Sequence, residues 1–170
     1  MIYEIKHLKE KWNVQYFRFF DEVFIGSKNK ISEFCNRIIQ ENLRISWDCQ
    51  TQVRLVDKEL LLLMKKAGCI TLNYGIESGS DSILNEMKKG ITADIARQAV
   101  EWTHEAGINP GANFLAGFPS ETVETIKQTE NFVLPLSHLD WNGPPEVHFV
   151  VPLPDTELFH TAVAMGAIDE

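Results

Sequence analysis

A chain of 170 residues, 44% hydrophobic and 10% aromatic, is long enough for one domain with a buried core, which excludes disorder as its main state. Its 16 basic against 24 acidic residues leave a net charge of −8, which argues against a non-specific nucleic-acid or anionic-membrane binder. Apolar stretches such as Leu60–Met64 fall far short of the roughly 20 residues a membrane helix requires, and Met1–His7 carries charge where a secretory signal is apolar, so a cytoplasmic, membrane-free protein is expected.

Along the chain, Tyr3–Trp12 has Ile5, Leu8 and Trp12 at helical spacing but no strand before it. Tyr16–Phe20 reads as the first strand, Ile31–Leu43 as a helix with Phe34, Ile38 and Ile39 apolar, and Ile45–Cys49 as the second strand. Asp57–Gly68 starts on an N-cap aspartate, keeps Leu60, Leu61, Met64 and Ala67 on one face, ends on a C-cap glycine and leads into a third strand, Cys69–Ile76. After a short Asp81–Met87 helix capped by Ser80 the unit returns. Thr92 caps a helix with Ile95, Ala99, Trp102 and Ala106 on one stripe, Gly107 ends it, and Ala112–Phe118 is the fourth strand. Val123–Leu136 is helical, Val147–Val151 is the fifth strand, and Met165-Gly166 repeats the helix end.

Strands alternating with helices predict right-handed crossovers and a parallel α/β sheet within a single domain, 1–170, either doubly wound or curved as an arc of a (β/α) barrel. The strandless first helix implies that the chain starts inside a longer barrel, leaving Tyr16–Phe20 as an exposed edge open to self-association.

In such sheets ligands bind beyond the C-terminal ends of the strands, and the residues there are polar. Asp21-Glu22 sets two carboxylates at the mouth for an ammonium, a hydroxyl or a metal; the alternative is acids neutralising a helix N-terminus. Gln50-Thr51-Gln52 with Arg54 follows the second strand. Gly75-Ile-Glu-Ser-Gly79 places Glu77 between glycines, suited to vicinal hydroxyls, or else forms a tight turn. Gly117-Phe-Pro-Ser-Glu121 reads first as structure, with Pro119 stopping the strand, Ser120 capping and Glu121 complementing the helix dipole. Small or apolar residues alternate along Gly111–Gly117, a surface for a flat ring, and the backbone of Val150–Pro154 offers groups for an aromatic base or a rigid turn.

Cys35, Cys49 and Cys69 are an odd number in apolar settings, expected as reduced buried thiols, and their spacing matches no close-set metal motif. The histidines His7, His104, His138, His148 and His160 likewise lack ligand spacing and read as structural or surface residues. Neither a Walker phosphate loop nor a dinucleotide fingerprint occurs.

Taken in order, Phe19-Phe-Asp-Glu-Val-Phe24, Trp47-Asp-Cys49, Val56–Leu61, Met64–Cys69, Gly75–Gly79, Lys89-Gly90, Ala106-Gly-Ile108, Gly117–Thr122 and Pro152–Thr156 resemble the radical SAM superfamily. The likeness is to the subgroup that often carries an upstream cobalamin-binding domain and includes the anaerobic magnesium-protoporphyrin IX monomethyl ester oxidative cyclases. It implies a partial (β/α) barrel of about five parallel strands whose parent has one more strand at the start. It implies S-adenosylmethionine on the inner rim beside a 4Fe–4S cluster, and a 5′-deoxyadenosyl radical formed in the full-length parent, an oxidoreductase, cyclase or methyltransferase; the fragment alone is expected to be inactive. On that resemblance Asp21 and Glu22 face the methionine ammonium, Glu77 and Ser78 the ribose hydroxyls, and Leu115–Gly117 with Val150–Pro152 the adenine. Gln52 and Arg54 belong to the same rim, although the family pattern has an arginine at the first and an acid or amide at the second, so a carboxylate contact by Arg54 departs from it.

The family's Cys-x3-Cys-x2-Cys motif is absent, so the cluster is expected in the parent only, and cobalamin through an upstream domain. A small-molecule substrate is expected, a tetrapyrrole among the candidates. Two other readings are a divalent-metal barrel lyase or hydrolase using Asp21, Glu22, Glu77 and Glu121, and a non-catalytic partner subunit.

Overall fold

A computed structural model describes residues 1–21, 24, 26–136, 138–139 and 145–169. The elements run α1 (Ile2–Trp12), β1 (Tyr16–Arg18), α2 (Lys28–Gln40), β2 (Ser46–Thr51), α3 (Lys58–Lys66), β3 (Cys69–Glu77), α4 (Asp81–Glu86), α5 (Ala93–Glu105), β4 (Asn109–Ala116), α6 (Val123–Val133), β5 (Glu146–Phe149) and α7 (Glu157–Ala164). Short 3-10 turns, Val53–Leu55 and Leu134–Leu136, follow β2 and α6.

All five strands are parallel and their order in the sheet is the order in the chain. A doubly wound sheet needs a point where the strand order reverses. None occurs here, so successive right-handed crossovers place the helices on one face and the sheet is a half-barrel. The helix-side face is apolar: Trp47, Cys49, Leu72, Tyr74, Ile76, Ala112 and Phe114 are buried on it. The strands were expected to be buried on both faces; instead the other face is concave and polar.

Four helix ends work as the sequence predicts. Asp57 and Thr92 accept the backbone N–H of Leu60 and Ile95, and Gly68 and Gly107 turn left-handed at φ 95° and 76°. At Gly68 a Cβ would lie 2.0 Å from the Ile45 carbonyl oxygen, which makes the residue obligatory. Four expectations are corrected. The buried stripe of α5 is Ala96, Ala99, Val100 and Thr103, while Ile95 is exposed, because small residues let the helix approach the sheet until Thr103 meets Tyr74. The cap of α6 is Thr122, in a reciprocal box with Thr125, since Ser120 instead bonds Glu86. Ser80 stands at the N-cap of α4 without a side-chain cap bond, its hydroxyl being 2.9 Å from that of Ser82. The Tyr16–Phe20 strand stops at Arg18, because Phe19 turns into an aromatic cluster with Phe24, Phe34 and Trp47 at centroid distances of 4.3, 5.6 and 6.0 Å.

That cluster positions the loop after β1, and the Phe24 N–H returns to the Gln50 carbonyl at 3.2 Å. Among the described residues no helix is long and apolar enough to cross a membrane.

Candidate functional site

The C-terminal ends of parallel strands share one rim, and β3 supplies its best-defined member. A bulge between Gly75 and Glu77 breaks the pairing with β4, and Glu77 itself adopts φ 76°, a left-handed conformation for a residue with a Cβ. The side chain folds back over Gly75, where a Cβ would lie 2.6 Å from Glu77 Oε1, and Lys89 Nζ donates to the same oxygen at 3.1 Å. Gly75 therefore makes room for the carboxylate, while the ammonium orients it.

The rest of that loop turns away from the rim. Ser78, expected beside a diol, is fully buried with its hydroxyl 3.2 Å from Thr129 Oγ1. Gly79 packs against α6, where a Cβ would lie 2.6 Å from Phe132 Cβ, so this glycine serves helix packing and leaves no approach for a ligand. The sequence reading took both glycines as one loop; the structure separates their reasons.

Asp21 is exposed beyond β1, and Glu22 lies outside the described residues. Gln52 and Arg54 flank the turn after β2 and bind each other, Arg54 Nε donating to Gln52 Oε1 at 2.7 Å. Gln50 and Thr51, expected after the second strand, are its last residues. Beyond β4, Gly117 at φ 88° ends the strand and its N–H donates to Glu121 Oε2 at 2.6 Å, so Glu121 closes this turn. Leu115 stands opposite His148 in the ladder, and Val150 N–H donates to the Ala116 carbonyl at 2.9 Å, which holds the half-buried Val150 beside β4; Pro152, two residues on, is half-buried as well. Of the carboxylates proposed for a divalent metal, Glu77 is engaged by Lys89 and Glu121 by the Gly117 amide. Among the described residues no three His, Cys, Asp or Glu side chains converge on a metal position.

Below the rim the concave wall joins Gln50, which the sequence reading set beyond the strand, to residues it missed. Arg18, Asp48, Gln50, Asn73, Asn113 and Glu146 line a cavity of about 210 Å³. Asp48 is 2% exposed, and Arg18 Nε donates to both its oxygens at 3.0 and 3.1 Å. Burial pushes the Asp48 carboxyl above its ordinary value of 3.8. The signal was present: polar residues recur at alternate positions of β2 and β3, which marks one solvated face.

The cysteines sit on the opposite side, free and buried in the helix-side core. Burial raises the Cys35 thiol to about 12 and moves Cys49 and Cys69 upward as well. Thiols so far from ionisation, on a helix and two strands, do not fit an iron–sulfur cluster, whose ligands are thiolates. The carboxylate and backbone groups of the rim do fit S-adenosylmethionine, a cation with a vicinal diol.

The family model of the radical SAM superfamily matches residues 1–133. An uncharacterized methyltransferase of Pyrococcus horikoshii is 32% identical over 164 residues, which is 96% of this chain and 35% of that protein. The anaerobic magnesium-protoporphyrin IX monomethyl ester cyclase of Rubrivivax gelatinosus is 31% identical over 141 residues, 82% of this chain and 24% of that protein. Among solved structures, the radical S-adenosylmethionine methyltransferase TsrM of Kitasatospora setae, with cobalamin and an iron–sulfur cluster bound, superposes at a TM-score of 0.83 and 21% identity, over 98% of this chain and 33% of that one. That likeness shows the half-barrel fold, and the chain spans about a third or less of the length of these proteins. On a family match along most of its length, joined to relatives above 30% identity, the chain belongs to the radical SAM superfamily.

Proposed function

We propose that this chain carries the S-adenosylmethionine-binding rim of a radical SAM enzyme of methyltransferase or cyclase type. The observation that carries the reading is Glu77, lifted onto the rim by a bulge and a positive φ and oriented by Lys89. Its carboxylate would hold the ribose diol, with the buried Ser78 anchoring the loop behind it through Thr129. Asp21, with Glu22, would face the methionine ammonium; Gln52 and Arg54 the cofactor's carboxylate; and the backbone of Leu115–Gly117 and Val150–Pro152 the adenine. When bound, the cofactor supplies a sulfonium whose carbon–sulfur bond is the one broken in this superfamily's chemistry. The three thiols of this chain take no part in holding a cluster.

In this reading the parent draws on a 4Fe–4S cluster and on cobalamin, both of which are bound in the TsrM structure. The substrate is a small molecule, a tetrapyrrole being the one suggested by the cyclase relative. Nucleic acid and membrane play no part, which the net charge of −8 supports, and three unpaired thiols support a cytoplasmic setting.

Calorimetric titration with S-adenosylhomocysteine and with adenosine tests it. Both are expected to bind, and Glu77→Gln to weaken both by about tenfold or more, as expected for loss of hydrogen bonds to a charged acceptor. Equal affinity in the variant, with its unfolding midpoint unchanged, would remove Glu77 from the site.

A further inference from the structure

The concave wall below the rim is neither a packed barrel core nor part of the cofactor rim. A closed barrel fills its interior with bulky branched side chains. Here Gln50 and Asn73 stand opposite each other across β2 and β3, and Asn113 stands opposite Gly75 on one side and Glu146 on the other. Among the described residues, none of the three carboxamides bonds to another protein group, so each presents two donors and an acceptor to the cavity. Gly111 completes the layer, since Asn73 lies across it and a Cβ there would lie 1.9 Å from Asn73 Oδ1.

Arg18 closes the wall on the β1 side. Asp48 grips it through Nε alone, at 3.0 and 3.1 Å, and the guanidinium lies 5.8 Å from the Phe20 ring. Both Nη groups, the open end of the fork, keep no protein partner among the described residues. A half-exposed ion pair adds little stability, and burying Asp48 carries a desolvation cost. The arrangement makes sense as orientation: a fixed carboxylate behind an arginine leaves its two parallel N–H donors for a carboxylate in front. Arg18 is the last residue of β1, three residues before Asp21.

We propose that this wall is the substrate site, and that the substrate is a carboxylate-bearing small molecule with a hydrogen-bonding body, anchored by Arg18 and read by Gln50, Asn73 and Asn113. The inference deepens the rim reading and rests on it. The carboxylate source it commits to is the substrate; the cofactor's own carboxylate is the competing source.

NMR titration of the isotope-labelled chain with N-acetylglycine and its uncharged isostere N-acetylglycinamide tests the proposal, with the rim filled by adenosine, which has no carboxylate. The expected result is a shift of the Arg18 Nε–H signal and of the Asn73 and Asn113 side-chain amides, with N-acetylglycine bound about tenfold or more tightly than the amide. Arg18→Gln brings that ratio to about one, Arg18→Lys keeps part of it, and Asn113→Ala weakens both probes alike. Equal binding of the two probes to the unchanged chain overturns the proposal. So does displacement of N-acetylglycine by S-adenosylhomocysteine but not by adenosine, which would give Arg18 to the cofactor. Failure of adenosine to move the Glu77 and Gly117 signals counts against the rim alone, and is read from different residues.

Discussion

Gly79 and Tyr74 show how differently two buried positions respond to change. A methyl group at Gly79 would meet Phe132 Cβ at 2.6 Å and Thr129 Cα at 2.7 Å, so Gly79→Ala must push α6 outward. The expected cost is about 1–3 kcal/mol, seen as a lower urea midpoint at constant m-value; an unchanged midpoint would mean that α6 is free to shift. Tyr74 is fully buried with its hydroxyl 2.6 Å from Thr103 Oγ1, which also donates to the Ala99 carbonyl at 2.7 Å. Tyr74→Phe therefore leaves Thr103 bonded, and the expected loss in the same assay is near 1 kcal/mol. A loss several times larger would show that the hydroxyl holds more than this one bond.

At the scale of the element, α3 depends on one aspartate. Asp57 accepts the Leu60 N–H at 2.8 Å through Oδ1 and the Lys28 ammonium at 2.6 Å through Oδ2, which ties the start of α2 to the start of α3. The Lys28 bond first, and the Leu60 amide second, hold its carboxyl below the ordinary 3.8. A carboxyl lowered in the folded state stabilises above its unfolded value and loses that contribution as pH falls through the folded one. Asp57→Ala is expected to cost about 1 kcal/mol near neutrality, as caps do. The gap between variant and parent should stay constant above pH 3.8 and shrink below it, measured by urea denaturation across pH. A gap independent of pH would mean that neither bond depends on the charge. Asp48 contributes with the opposite sign, since burial raises it: its contribution is complete below 3.8 and fades as pH rises through the folded value.

For the whole molecule the open question is what its two edges do. Among the described residues β1 pairs only with β2 and β5 only with β4, and on β1 Tyr16 is 45% exposed. A short exposed edge is a template for pairing with a second copy. Sedimentation at rising concentration is expected to show association that Tyr16→Lys suppresses while adenosine binding stays unchanged. A chain that remains monomeric throughout would show that three paired residues are too short a template.

The ends of α3 and α5 were set by the sequence alone, because capping is local: Asp57 and Thr92 cap residues three positions on, and Gly68 and Gly107 turn at the next peptide. Glu77 was visible too, flagged by its flanking glycines. Other features were decided by residues far along the chain. Ser78 and Gly79 are claimed by Thr129, about fifty positions away, and Arg18 meets Asp48 thirty positions away, both brought together by the sheet and its helices. No local pattern states which strands pair, so periodicity left a doubly wound sheet and a barrel arc both open; the family resemblance pointed to the partial barrel, and the unreversed strand order bears it out. The alternation of polar residues along β2 and β3 was in the sequence, but which of them share one wall was decided by the pairing. Hydrogen-bond ladders and packing act across distances that sequence neighbours do not encode.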